Sequence, residues 1–448
     1  MSDETVGAIM SAFVHPDDIR SRFSAALSAL YRAEVPQYGD LLTLVADINA
    51  TVLKADAAGA DRLAASGELA RLSEERHGAI RVGTADELAT IARAFAVMGM
   101  APVSYYNLAP AGVPVHSTAF RPVDPAALAR NPFRVFCSLL RLELIEDEAL
   151  RAEAGETLAR RDIFTPGARA LIETAEREGG LDTDQADRFV AELLETFRWH
   201  AEATVSATTY ERLVAAHRLI ADVVSFKGPH INHLTPRTLD IDAAQAAMPA
   251  RGIAPKETIE GPPARACPIL LRQTSFKALQ EAITFPGADG PTAGAHTARF
   301  GEIEQRGCAL TPSGRALYDQ ALATRDFSAL PDDWDGLRRG ELAWFRYRPT
   351  PQGLATRVET ADLDALIAQG CVVAEPITYE DFLPVSAAGI FQSNLGAEAR
   401  QIAYDVDPAR AAFETALGRP VQDEMTLYRA EQDASIAATL KALGLGQD

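Results

Sequence analysis

The texture of the chain changes abruptly at His77, and that change limits the folds open to it. Residues 17–75 are dominated by alanine, leucine and charged residues, as in PDDIRSRFSAALSALYRAEV and GDLLTLVADINATVLKAD. Their apolar positions recur at three- and four-residue steps, which predicts helices. HGAIRVGT is then short and bounded by glycine, ADELATIARAFAVMGM returns to helical spacing, and APVSYYNLAPAGVPVHSTAFRPV is rich in prolines, glycines and β-formers. The order reads strand, helix, strand, hairpin. Helical and β-like stretches kept apart in this way predict an α+β fold.

The same reading divides the rest. Residues 1–75 form an N-terminal helical segment and 76–123 part of a first β-rich module. Residues 124–220 read as an inserted helical lobe, through LARNPFRVFCSLLRLELI and DRFVAELLETFRW. Residues 221–395 read as a second β-rich module, and 396–448 as C-terminal helices. A strand bearing His77 and another bearing His233, each followed by a helix and further strands, suggest two related modules.

Composition narrows the function classes. The 448 residues hold 43 Lys+Arg against 62 Asp+Glu, a net charge of −19, which argues against general nucleic-acid binding. At 47% hydrophobic and 23% charged, the chain has enough apolar surface for a core. No run approaches the roughly 20 apolar residues of a membrane helix, and MSDETVGAIM has acids where a secretory signal would be basic. Cys137, Cys267, Cys308 and Cys371 are widely scattered, which favours a reduced, cytoplasmic setting over a disulfide framework or a zinc site. Phosphate-loop, serine-hydrolase, HExxH and dinucleotide motifs are missing from the sequence.

Chemistry must come from elsewhere. GPHINHLTPR is bracketed by Pro229 and Pro236, too close together for a stable helix, so an extended segment is expected. On a strand His230 and His233 then face opposite sides, and only one of them enters any given site. His77 and Arg81, four residues apart, share a face. An imidazole can bind a metal and a guanidinium can clamp a carboxylate, although Arg81 reads equally well as a surface cation. RFGEIEQRG offers Glu302 and Glu304, which point the same way on a strand, so parity does not choose between them. Two histidines and one such glutamate would make the facial triad typical of non-haem iron(II) oxygenases.

GPHINHLTPR, RFGEIEQRGCALT and EDFLPVSAAGIFQSNL, with HGAIR upstream, resemble the 2-oxoadipate dioxygenase/decarboxylase family over about residues 70–396. The resemblance implies a vicinal-oxygen-chelate-like fold, whose β-α-β-β-β modules form a cupped sheet around a metal, with large added helical lobes. It implies His77, His233 and Glu302 as ligands of Fe(II), with Glu304 as the alternative carboxylate. It implies Arg81 as a substrate-carboxylate clamp, with Val385 and Ser386 as further substrate contacts. The implied reaction takes 2-oxoadipate and O2 to 2-hydroxyglutarate, expected as the D-enantiomer, and CO2, in lysine catabolism. The implied partners are a small 2-oxo dicarboxylate and O2, with neither nucleic acid nor membrane; the oligomeric state is left open. Three rivals stand beside it: another 2-oxo-acid dioxygenase of the 4-hydroxyphenylpyruvate type, a non-catalytic metal- or ligand-binding protein of the same fold, and a metal-dependent hydrolase or isomerase that would act without oxygen.

Overall fold

The structure is a computed structural model that describes residues 13–74, 76–288, 290–383 and 408–445. The chain divides into two compact units: one of Met1–Glu260, Gln273–Glu304 and Pro384–Val421, the other of Gly261–Arg272, Gln305–Leu383 and Gln422–Asp448.

The first unit is organised by a five-stranded sheet. Its strands are β1 (Arg76–Val82), β2 (Ala101–Asn107), β3 (Val115–Arg121), β4 (Arg134–Leu140) and β5 (Leu234–Pro236), in spatial order β2-β3-β4-β1-β5. β1 runs parallel to β4 and antiparallel to β5, while β2, β3 and β4 pair antiparallel. The helix Ala85–Val97 follows β1, so the chain runs strand, helix and three strands in turn. A capping box opens that helix: Thr84 accepts from the Glu87 amide, and the Glu87 carboxylate accepts from the Thr84 amide.

Alternation along β1 sorts its side chains. Ile80 and Val82 enter the main core with Phe23, Phe95, Phe120, Phe133 and Phe197, while His77 and Arg81 take the other face. Helices Pro16–Glu34 and Pro36–Ala55 contribute to that core through Phe23, Leu27, Leu41 and Leu44. Edge-to-face rings fasten it, with Phe23 centred 5.9 Å from Phe133 and 5.3 Å from Phe197. At Gly78 the chain passes close to itself. A Cβ there would stand 2.6 Å from Ile231 Cδ1 and 2.9 Å from the His233 carbonyl oxygen. Only glycine lets the segment before β5 lie against β1.

Two sequence expectations are corrected here. Arg134–Leu140, taken into the helical lobe, is strand β4 and is buried along its length. An apolar run flanked by helix-like sequence has no period that separates a buried strand from a helix. The GPHINHLTPR segment is not extended throughout. His230 has φ 21°, and only Leu234–Pro236 is a strand. Residues before it are held one bond at a time, as in Ile231 N–H to the Phe197 carbonyl and Asn232 N–H to the Ala79 carbonyl.

Later strands are β6 (Leu271–Ser275), β7 (Gln280–Phe285), β8 (Thr292–Thr297) and β9 (Glu302–Arg306), with β7 and β8 forming an antiparallel pair. In the second unit β10 (Phe345–Pro349) pairs antiparallel with β11 (Val372–Pro376). Helix Glu424–Ala442 lies along β10, where Gln432 and Ser435 accept from the Phe345 and Tyr347 amides. Among the described residues no helix is long and apolar enough to cross a membrane.

Candidate metal centre

Three chain segments meet behind β1. His77 stands on β1, register-paired with Thr235 of β5. His233 lies just before β5, and Glu302 opens β9. Candidate donor atoms of His77, His233 and Glu302 all lie within 4.8 Å of one another. His77 Nε2 is 3.1 Å and His233 Nε2 3.5 Å from Glu302 Oε2. The two imidazoles meet edge to face with centroids 5.4 Å apart. All three residues are at most 1% exposed.

Glu302 is fixed by neighbours that sequence reasoning passed over. Thr235 Oγ1 donates to Oε2 at 2.9 Å, and Gln273 Nε2 donates to the same oxygen at 3.0 Å. Thr235 had a signal in the sequence, since it lies two residues from His233 inside the singled-out motif. Gln273 had none.

The site is tested by what it leaves unmatched. Among the described residues, neither ring nitrogen of His233 nor Oε1 of Glu302 has a hydrogen-bond partner. Buried polar atoms are normally paired, because leaving one unmatched costs about 1–3 kcal/mol. Two imidazoles and one carboxylate converging with spare lone pairs suit a divalent transition metal. Burial pushes the His233 imidazole down to about 4, against the pull of Glu302, so it is neutral and able to donate a lone pair at neutral pH. For His77 burial works in the same downward direction, but the Glu304 and Glu302 carboxylates overcome it and its affinity for a proton is raised. Burial would raise the Glu302 carboxyl; His233, His77 and Thr235 together lower it.

The sequence left Glu302 and Glu304 open. Both carboxylates do face one way and both reach His77, but at different nitrogens. Glu302 lies by Nε2, and Glu304 Oε2 is 2.9 Å from Nδ1. Only Glu302 belongs to the converging donor set.

His230 and His233 part company as expected, although a bend at His230 rather than strand alternation separates them. His230 sits in a second cluster around buried Asp222. Asp222 Oδ1 is 3.3 Å from His230 Nε2 and 2.9 Å from His296 Nε2, while Oδ2 accepts from Arg81 Nη1 at 2.7 Å. Tyr210 Oη pairs with His296 Nδ1 at 2.8 Å, and Trp199 stacks on the His296 ring. Arg81 is therefore a largely buried, ion-paired group rather than a surface cation. Asp222, His296 and Tyr210 escaped the sequence reading because nothing local ties them to Arg81. Val385 and Ser386 lie outside the described residues.

Two histidines and a carboxylate, buried and with unmatched donor atoms, define a candidate metal centre of the two-histidine, one-carboxylate class. The profile of the 2-oxoadipate dioxygenase/decarboxylase family matches residues 23–394. A 2-oxoadipate dioxygenase/decarboxylase of Escherichia coli K12 is 58% identical over 444 residues, covering 95% of this chain and 98% of that protein. One from Pseudomonas putida KT2440 is 57% identical over 459 residues, covering 97% and 98%. The crystal structure of the Pseudomonas putida hydroxyglutarate synthase in complex with 2-oxoadipate is similar with a TM-score of 0.89 at 54% identity, covering 97% of this chain and all of that one. The chain belongs to the 2-oxoadipate dioxygenase/decarboxylase family.

Proposed function

We propose that this protein is an Fe(II)-dependent dioxygenase/decarboxylase that converts 2-oxoadipate and O2 to 2-hydroxyglutarate, as the D-enantiomer, and CO2. The observation that carries this reading is the buried His77–His233–Glu302 set with its unmatched donor atoms, in a chain 58% identical to a relative of that name. Atoms balance: one carboxyl leaves as CO2, one oxygen atom completes the new carboxylate, and the other becomes the hydroxyl.

His77, His233 and Glu302 would hold the iron, which would supply the redox chemistry and a place for the 2-oxo acid and O2 to meet. The remaining work falls to this chain. Thr235 and Gln273 hold the Glu302 carboxylate in one orientation. Burial of all three ligand residues excludes bulk water. Arg81, steadied by Asp222, offers a guanidinium to a substrate carboxylate on the same strand face as His77. Val385 and Ser386 are the further substrate contacts, on the strength of the resemblance. The strand, helix and three-strand order from β1 to β4 supports a vicinal-oxygen-chelate-like sheet as the scaffold. Four free, buried cysteines support a cytoplasmic setting.

The test is anaerobic loading with Fe(II), followed by 2-oxoadipate and oxygen, with CO2 and 2-hydroxyglutarate measured. Equimolar formation of both is expected. Oxygen uptake with an aryl pyruvate and none with 2-oxoadipate would overturn the substrate; metal binding without oxygen uptake on either would overturn the reaction.

A further inference from the structure

Glu304 is the buried carboxylate that the metal centre does not use as a donor. It is wholly buried at the end of the first unit's share of β9, and its carbonyl accepts from the Thr238 amide at 2.7 Å. One carboxylate oxygen lies 2.9 Å from His77 Nδ1, and the other lies 4.0 Å from Arg134 Nη1. Arg134 is the β4 residue in register with His77, and it too is fully buried. A carboxylate serving chiefly as counter-ion to Arg134 would close on the guanidinium; here the closer partner is the imidazole.

We propose that Glu304 is a positioning residue for His77, an inference that rests on the metal-centre reading above. A neutral imidazole carries one proton on one of two nitrogens. A carboxylate at Nδ1 draws that proton there and leaves the lone pair on Nε2, the nitrogen that faces Glu302 and the converging donors. It also fixes the ring plane and raises the basicity of the donating nitrogen. The backbone bond from Thr238 and the nearby Arg134 guanidinium hold Glu304 in place for this task. One strand face thus carries two glutamates with different work: Glu302 donates to the metal, and Glu304 prepares the histidine beside it.

The experiment uses the full chain, wild type and the variants Glu304→Gln and Glu302→Gln, with Co(II) as probe. Affinity is read from the visible absorption of the cobalt complex, and folding from circular dichroism. Wild type is expected to bind one equivalent and Glu302→Gln to lose specific binding. Glu304→Gln should keep one equivalent with affinity about ten- to a hundredfold weaker. A second readout needs no variant. In the Zn(II)-loaded wild-type protein with 15N-labelled histidine, the His77 proton should sit on Nδ1, with the downfield shift of a proton shared with a carboxylate, and this shift should move upfield in Glu304→Gln. Wild-type affinity in Glu304→Gln together with an unmoved Nδ1 proton would overturn the proposal, as would a His77 proton on Nε2 in the wild type. Failure of the wild type to bind Co(II) at all would instead overturn the metal-centre reading, and this inference with it.

Discussion

The Arg81 guanidinium lies 2.7 Å from the Asp222 carboxylate, with their side chains only 13% and 8% exposed. Asp222 in turn gathers His230 and His296, so one carboxylate holds a cation and two imidazoles away from bulk water. The same residue types occur here as in the metal centre, two histidines and an acid. The difference is satisfaction: Asp222 and His296 are engaged by protein groups, whereas His233 and one oxygen of Glu302 lack hydrogen-bond partners among the described residues.

Removing Asp222 should therefore be costly. Asp222→Ala leaves Arg81 buried beside a lost partner, and breaking a buried pair in this way destabilises by about 3–5 kcal/mol. The comparison is Asp47→Ala, which breaks a pair with Arg251 whose side chains are 58% and 40% exposed and should change stability by about 0–1 kcal/mol. Urea unfolding of both variants measures the contrast. Equal losses would mean that the Asp222 pair contributes no more than a surface pair.

Asp222 also sets an acid limit. Burial alone would raise its carboxyl, but the fields of His230 and Arg81 and the hydrogen bonds from His230 and His296 hold it well below the usual 3.8. A depressed carboxyl contributes stability that is fully present above its unfolded value, about 3.9, and is lost as pH falls through the folded value. Below about pH 4 the stability advantage of wild type over Asp222→Asn should shrink as pH falls. An advantage that grows as pH falls would contradict this.

Metal should stabilise the chain, and only certain histidines should matter. A divalent ion at about a hundred times its dissociation constant adds about 2.7 kcal/mol to folding. Thermal unfolding with and without Fe(II) under anaerobic conditions should show the rise in wild type and in His230→Ala. It should vanish in His77→Ala and His233→Ala. A rise that persists in His233→Ala and is lost in His230→Ala would exchange the two histidines.

Arg81→Lys keeps the charge but loses the fork that can engage Asp222 and a substrate carboxylate together. A charge-assisted bond in such a setting is worth about 1.5–3 kcal/mol, so kcat/KM for 2-oxoadipate should fall roughly ten- to a hundredfold. Iron content should stay near that of the wild type. Unchanged kinetics in both Arg81→Lys and Arg81→Ala would show that the substrate is anchored elsewhere.

The parts of the site that were legible in sequence share a cause. His77 with Arg81, and Glu302 with Glu304, each lie on one strand, where a period of two fixes relative facing. The strand β4 was hidden, because RVFCSLL is buried on both faces and carries no alternation to read. The separation of His230 from His233 was foreseen for an incomplete reason. Alternation was assumed where a bend at His230 does the work, and bends of that kind depend on contacts such as Asn232 to Ala79 that lie far off in the chain. Asp222, His296 and Gln273 were invisible for the same reason: each gains its role from a partner many residues away.

His77 and Glu302 stand 225 residues apart in the chain, yet touch. This distance governs when the centre comes into being. During synthesis the first histidine leaves the ribosome long before its carboxylate partner exists, and a growing chain shorter than 302 residues has no complete ligand set to offer. The centre is therefore assembled late, after most of the surrounding fold has been made. Any product truncated before β9 would be unable to capture an ion with its full set of donors.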